Sequence, residues 1–390
     1  DKTWTCCCQD AMKTRQHCMR QACRIVGGLI LCLWFGNITN ILWDSNWQTS
    51  PGPQPASLDP PALANTNSSL PANHDMFWRD QERLSSNGIP IEPPRFLLGI
   101  MSHELLNPGP RRREFQRREM IRKTYLSYYK DHGSADERHR ICGLHELVNG
   151  QVSVTDCQIA YTFVMGQTIQ PPMDNRTEFL HATSTRDMIR PHAEADVLSL
   201  DITENGKFGK SPTWFRYASL LVKENNHLQP FQYIIKTDSD TLLIPLRFLR
   251  WIEEQEASID YQRTRIYGGT PLDKVACGWP SHDHCHNLTA PYFHGGGLYF
   301  VTRDVAEYIV SDQCPRSQLF VPHEDVTMGN YVHSMTTTTT QGGTIHAFNN
   351  QNAYHDTWKH PVKDPKRMQS LWKAYVSKKK KRMKTKAKLP

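Results

Sequence analysis

At 390 residues, 38% hydrophobic, with mean hydropathy -0.60, the chain is long enough for one large domain plus appendages and too polar for several membrane spans. Its formal charge of +7 invites a nucleic-acid reading, but Lys378, Lys379, Lys380, Lys381, Arg382, Lys384, Lys386 and Lys388 hold eight of the positive charges within 376–390, with no acid among them. The rest of the chain is nearly neutral, so this block reads as a solvated, disordered tail and excludes a basic groove through the body as the basis of function.

In chain order, the first 24 residues carry Lys13, Arg15, Arg20 and Arg24 and read as a short cytosolic tail; Cys6, Cys7 and Cys8 there are candidates for lipidation or plain thiols. Residues 25–43, IVGGLILCLWFGNITNILW, hold no charge over a length that can just cross a hydrocarbon core of roughly 30 Å. Basic residues before this segment and Asp44 after it predict a single-pass anchor with the N-terminus in the cytosol. A cleaved signal peptide is the rival reading, and the absence of a small-x-small site favours the anchor. Residues 44–94 are rich in Pro, Ser, Asn and Ala and read as an extended stem. Sequons at Asn67, Asn175 and Asn287 agree with a luminal body.

The body begins at Arg95. Apolar runs at Phe96 to Met101, Ile159 to Gly166, Asp196 to Asp201 and Phe231 to Thr237 predict strands. Charged or amphipathic stretches at Arg111 to Lys130, Pro212 to Glu224 and Pro245 to Glu256 predict helices. Alternation of the two predicts an α/β domain with a largely parallel sheet covered on both faces, and ligands at the carboxyl ends of its strands. The five threonines Thr336 to Thr340 read as an exposed loop. Cys142, Cys157, Cys277, Cys285 and Cys314 allow two disulfides and one thiol; Cys142–Cys157 and Cys277–Cys285 close the shortest loops, and connectivity stays open.

Chemistry concentrates in Lys236-Thr237-Asp238-Ser239-Asp240. An apolar strand delivers two carboxylates to its carboxyl end, two residues apart and so on one side of an extended segment. Paired hard oxygens suit Mn²⁺ or Mg²⁺ bound to a diphosphate; an acidic turn after a strand is the plainer reading. His323-Glu324-Asp325-Val326-Thr327-Met328-Gly329 puts two acids at the start of a predicted helix, where they cap it or one of them serves as a general base.

These segments fall in the order seen in one family. Arg118-Glu119-Met120-Ile121-Arg122-Lys123-Thr124-Tyr125 resembles its R-x-x-I-R-x-T-W element with Tyr for Trp. Phe163 to Gly166, Asp196-Val197-Leu198 with Asp201, and Lys236 to Asp240 resemble its strands and acidic motif. Pro291 to Tyr299 resembles P-Y-x-x-G-G-G-(F/Y), Glu324-Asp325-Val326 with Gly329 resembles E-D-V-x-x-G, and His360 to Lys363 with Met368 and Trp372 resembles the closing segment. Residues 95–375 thus resemble the β-1,3-galactosyltransferase-like family of inverting glycosyltransferases, which includes N-acetylglucosaminyltransferases and, more distantly, Fringe.

The resemblance implies a GT-A fold and a single displacement that moves a hexose, galactose before N-acetylglucosamine, from a UDP-sugar to a glycan hydroxyl in a β-1,3 linkage, in the Golgi lumen on a type II anchor. It implies Mn²⁺ bound by Asp240, by Asp238 (which reaches metal or ribose) and by His360, for which His346 and His355 are substitutes. It implies Asp325 as base, and it sets Arg118 and Arg122 near the nucleotide, although a solvated basic helix face explains them as well. Gly295, Gly296 and Gly297 would let backbone approach the sugars, or simply make a tight turn. Two departures stand out: Ser211 to Arg216 replaces the family's N-L-T-x-K helix start, leaving Arg216 as a substitute for its lysine, and Ala276 to Asn287 carries His282, His284, Cys285 and His286, an acceptor-side loop or a second metal cluster. The alternative function is a UDP- or carbohydrate-binding protein of the same fold without turnover.

Overall fold

The computed structural model describes residues 92–103, 108–127, 141–168, 172, 174, 176–206, 209–259, 263–272, 293–320, 324–338, 344–350 and 357–386. The expected tail, anchor and stem before residue 92 lie outside these, as do Asn175, Asn287, Cys277, Cys285, His355 and the 282–286 cluster. Among the described residues, no helix is long and apolar enough to cross a membrane.

Among the described residues, nine strands form the main sheet. They are β1 (Phe96–Met101), β2 (Ile141–Gly143), β3 (Ile159–Gln167), β4 (Ile189–Arg190), β5 (Val197–Thr203), β6 (Tyr233–Asp238), β8 (Ile266–Leu272), β9 (Phe293–Thr302) and β10 (His346–Asn349); β7 (Leu242–Leu243) pairs separately with β11 (Trp358–Lys359). The sheet order is β10-β8-β9-β6-β1-β3-β5-β4, with β2 beside β3. The central four strands are parallel, while β9 runs antiparallel between β6 and β8. All six β1 residues are buried, because helices cover both faces of the sheet.

The helices are α1 (Pro108–Ile121, continuing into a π turn at Arg122–Leu126), α2 (Leu144–Val148), α3 (Lys210–Glu224), α4 (Pro245–Ser258), α5 (Arg303–Ile309), α6 (Arg316–Leu319), α7 (Glu324–Thr338) and α8 (Pro365–Lys386). Strand residues alternate between two apolar layers. Leu97, Val164, Ile234 and Val301 pack with Trp214 and Phe215 of α3, Ile309 of α5 and Val332 of α7. Leu98, Ile100, Phe163, Ile235 and Phe300 pack with Ile121 of α1, Phe248 and Ile252 of α4, and Met368 of α8. The Cys142–Cys157 disulfide ties β2 to the residue pair before β3, and Cys314 is a buried free thiol.

The predicted strands and helices recur with ends shifted by a few residues, and two expectations are corrected. Thr336, Thr337 and Thr338 are helical rather than looped: Val332 and Met335 are buried in the preceding turn and carry α7 onward, while the Thr336 hydroxyl is satisfied by the His333 carbonyl at 2.8 Å. The tail expected to be disordered from 376 is helical through Lys386, because α8 nucleates on the core at Met368 and Trp372 and lysine propagates a helix well.

Candidate active site

Chain order creates the site. From β1 the chain moves outward on one side through β3 and β5, then returns to pair β6 on the other side of β1. The carboxyl ends of β1 and β6 therefore diverge at a switch in winding direction, where parallel sheets leave a crevice. A cavity of about 220 Å³ lies there, lined by Met101, His103, Arg117, Asn205, Gly206, Lys210, Ser211, Lys236, Asp238, Ser239, Asp240 and Glu324.

Asp238 ends β6, opposite Met101, and Asp240 follows in the turn closed by the Thr241 N–H on the Asp238 carbonyl (3.0 Å). His360 follows β11, which β7 anchors directly after the acidic turn. One ligand atom from each of Asp238, Asp240 and His360 falls within 4.8 Å of the others. The His360 Nδ1 lies 3.1 Å from Asp240 Oδ1 and 3.1 Å from the Thr241 hydroxyl, and the Val362 N–H donates to the Asp240 carbonyl at 2.7 Å. Two carboxylates and an imidazole so placed form a donor set that fits Mn²⁺. Of the substitutes, His346 lies on β10 at the sheet edge.

The second acid motif starts α7. Buried Lys236 bridges it to the first: its Nζ lies 2.8 Å from Asp238 Oδ1, 3.3 Å from Glu324 Oε2 and 2.7 Å from the Gly296 carbonyl. Burial opposes the charge on Lys236, but Asp238, Glu324 and Asp325 outweigh it and hold the ammonium protonated. Burial would also raise Glu324, yet Lys236, Asp325, Ser211 and the Tyr299 hydroxyl bring it down to about 2. Asp325 behaves in the opposite way: burial first, then the adjacent Glu324 charge, push it well above the ordinary carboxylate range. The pair thus divides into a fixed anion and a carboxylate with strong proton affinity. Glu324 lines the cavity, while Asp325 lies against Gly296.

Two glycines of β9 make room within the chain itself. A Cβ on Gly296 would stand 2.6 Å from Asp325 Oδ1, and one on Gly297 would stand 2.5 Å from His360 Cγ. The room they leave is taken by this chain's own carboxylate and imidazole.

The two arginines are largely occupied. Arg118 is buried and spans Glu194 (2.7 Å) and the Ser102 hydroxyl (3.1 Å). Arg122 spreads its fork over Asp196 (2.6 and 2.8 Å), Glu194 and Glu119. Arg118 borders a second cavity of about 440 Å³ with His103, Arg111, Arg112, Phe115, His192, Ala193 and Glu194, and His103 is common to both cavities. Arg122 lines neither. Nor does Arg216 stand in for the family's lysine; it donates to the Ala182 carbonyl (2.6 Å). Lys210, the first residue of α3, reaches the site instead, bonded to the Ser102 carbonyl (2.8 Å) and Glu204.

Sequence reasoning overlooks Lys210, Arg117 and Glu114. Lys210 sits one residue before the altered Ser211–Arg216 segment, which was its only signal. Arg117 and Glu114 lie among six arginines and two glutamates in 111–122, with nothing to single them out.

Fold and site together define an α/β domain with an acid- and histidine-lined crevice at the strand ends. The galactosyltransferase family model matches residues 116–341, more than half of the chain, and the chain belongs to that family. It carries a glycosyltransferase domain. No curated protein matches the chain.

Proposed function

We propose that this chain is an inverting transferase of the GT-A type that moves a hexose, galactose before N-acetylglucosamine, from a UDP-sugar to a glycan hydroxyl, forming a β-1,3 linkage. The observation that carries the reading is the meeting of Asp238, Asp240 and His360 at the winding switch of a parallel sheet, with Glu324 and Asp325 across the Lys236 bridge.

Mn²⁺ held by Asp238, Asp240 and His360 would neutralise charge on the departing diphosphate. Lys210 adds positive field over the same cavity, and the neighbouring cavity past His103, bordered by Arg118, supplies room for the nucleoside. Asp325 takes the proton of the acceptor hydroxyl. The acceptor oxygen then bonds to the anomeric carbon from the face opposite the diphosphate, the bond from that carbon to the phosphate oxygen breaks, and its electron pair leaves with UDP. Glu324, kept ionised by Lys236, maintains the strong proton affinity of Asp325.

The charge-free segment 25–43 with basic residues before it supports a type II anchor and a luminal domain in the Golgi. The Cys142–Cys157 disulfide supports the same compartment, since such bonds persist in oxidising surroundings.

The test is UDP release by the purified chain from a panel of UDP-sugars, with and without Mn²⁺. Release from one donor, abolished by chelator and by Asp240→Ala, is expected. Release indifferent to chelator would overturn the metal assignment. UDP binding with no transfer to any acceptor would favour the turnover-free alternative.

A further inference from the structure

Three segments far apart in sequence must meet for the acidic turn and His360 to face each other, and α1 carries the groups that join them. Glu114 is a carboxylate only 2% exposed. It accepts the hydroxyl of Ser239, the residue between the two aspartates, at 2.8 Å, and that of Ser102, just past β1, at 3.4 Å. Its other oxygen takes an N–H of Arg117, one helical turn on. The rest of the Arg117 fork reaches the Lys363 carbonyl, with Nε at 3.2 Å and Nη2 at 3.0 Å, in the loop that follows His360. A buried carboxylate needs such partners, because desolvation without them is strongly unfavourable.

We propose that Glu114 and Arg117 are a positioning pair, linking the Asp238–Asp240 turn to the His360 loop so that the three ligand groups are set before a cation arrives. The inference rests on the metal reading above. Neither residue touches the proposed ligand atoms; each acts through a neighbour, Glu114 through Ser239 and Arg117 through Lys363. The fork geometry matters: Arg117 needs separate N–H groups for Glu114 and for the Lys363 carbonyl, and a lysine ammonium cannot span both in one plane.

Partners that orient metal ligands from behind typically change metal affinity about 10- to 100-fold when removed. The test is Mn²⁺ binding to the full chain in the absence of donor, by calorimetry and by the loss of the free-ion paramagnetic resonance signal. Thermal unfolding of the same samples establishes that each is folded. Expected are a Kd for Mn²⁺ raised about tenfold or more in Glu114→Gln and in Arg117→Ala, a smaller rise in Arg117→Lys, and a higher Mn²⁺ requirement for turnover with kcat nearly restored at saturating Mn²⁺. Ser239→Ala, which removes a single hydroxyl, answers the question if Glu114→Gln does not fold. Wild-type affinity in folded Glu114→Gln, or in Ser239→Ala and Arg117→Ala together, overturns the positioning role. Failure of the unmodified chain to bind Mn²⁺ at all is a different result, and it overturns the metal reading itself.

Discussion

Two neighbouring carboxyls behave oppositely because Glu324 gathers an ammonium and two hydroxyls as direct partners, while Asp325 is left beside the Glu324 charge. Glu324 receives Lys236 and the Tyr299 hydroxyl, whereas Asp325 faces the Glu324 charge at close range. Asp325→Asn is expected to cut turnover by about 10²–10⁴-fold while leaving Mn²⁺ binding intact, measured as kcat beside a metal titration. The pH dependence follows with a definite sign. A base works only when deprotonated, and a raised pKa keeps Asp325 protonated further up the scale. Activity should therefore fall on the acid side at a pH above the ordinary carboxylate range. Removing the adjacent charge in Glu324→Gln should move that limb to lower pH; an unmoved limb in the log kcat/KM profile would detach it from Asp325. Much of this was legible in the residues themselves. Asp238, Asp240, Asp325 and His360 stood in recognisable strings, and three of them meet in space. The roles of Arg118 and Arg122 were not legible, because a guanidinium one turn from a ligand and one paired with Glu194 look the same in a string of letters.

At the scale of elements, the glycines show how a strand makes room. β9 runs beside β6, setting Leu298 opposite Thr237, so the side chains of α7 and of the segment after β11 come down on Gly296 and Gly297. Gly297→Ala should push the His360 ring aside, because a Cβ 2.5 Å from its Cγ leaves no accommodation without movement. The expected outcome is weakened Mn²⁺ binding with a nearly unchanged Tm. Gly99→Ala in β1 makes the contrasting case. Its Cβ would meet the Trp214 indole at 2.5 Å and neither the His360 ring nor the aspartates, and should cost about 1–3 kcal/mol of stability with metal affinity preserved. Measuring Tm and Mn²⁺ affinity on both variants separates the two kinds of close approach. The strands themselves were readable because apolar runs such as FLLGIM and YIIKTD are bounded by polar or proline-bearing segments. Their spatial order was not, since the return of β6 to the far side of β1 is decided by packing of α3 and α4 on opposite faces.

For the molecule as a whole, the question is where the folded body ends. Composition put the boundary near 375, since eight cations without an acid follow. Packing of α8 reaches that point: Met368 is fully buried, Trp372 is nearly so, the Arg247 guanidinium of α4 lies 5.3 Å from the Tyr375 ring, and Val376 is partly buried. Composition missed only that α8 runs on to Lys386, because it records charge and not the helix register that sets Met368 and Trp372 on the side facing α1 and α4. Ending the chain at Lys378 should therefore change Tm little while removing most of the positive block. Ending it at Asp364 exposes the apolar surface that Met368 and Trp372 cover, each such side chain contributing about 1.5–3 kcal/mol, and should lower Tm by many degrees or prevent folding. The two truncations also bear on what the cations do. If the shorter deletion keeps both Tm and UDP release, the basic block is dispensable for fold and chemistry alike. A loss of UDP release with Tm unchanged would instead give the terminal lysines a part in binding the anionic donor.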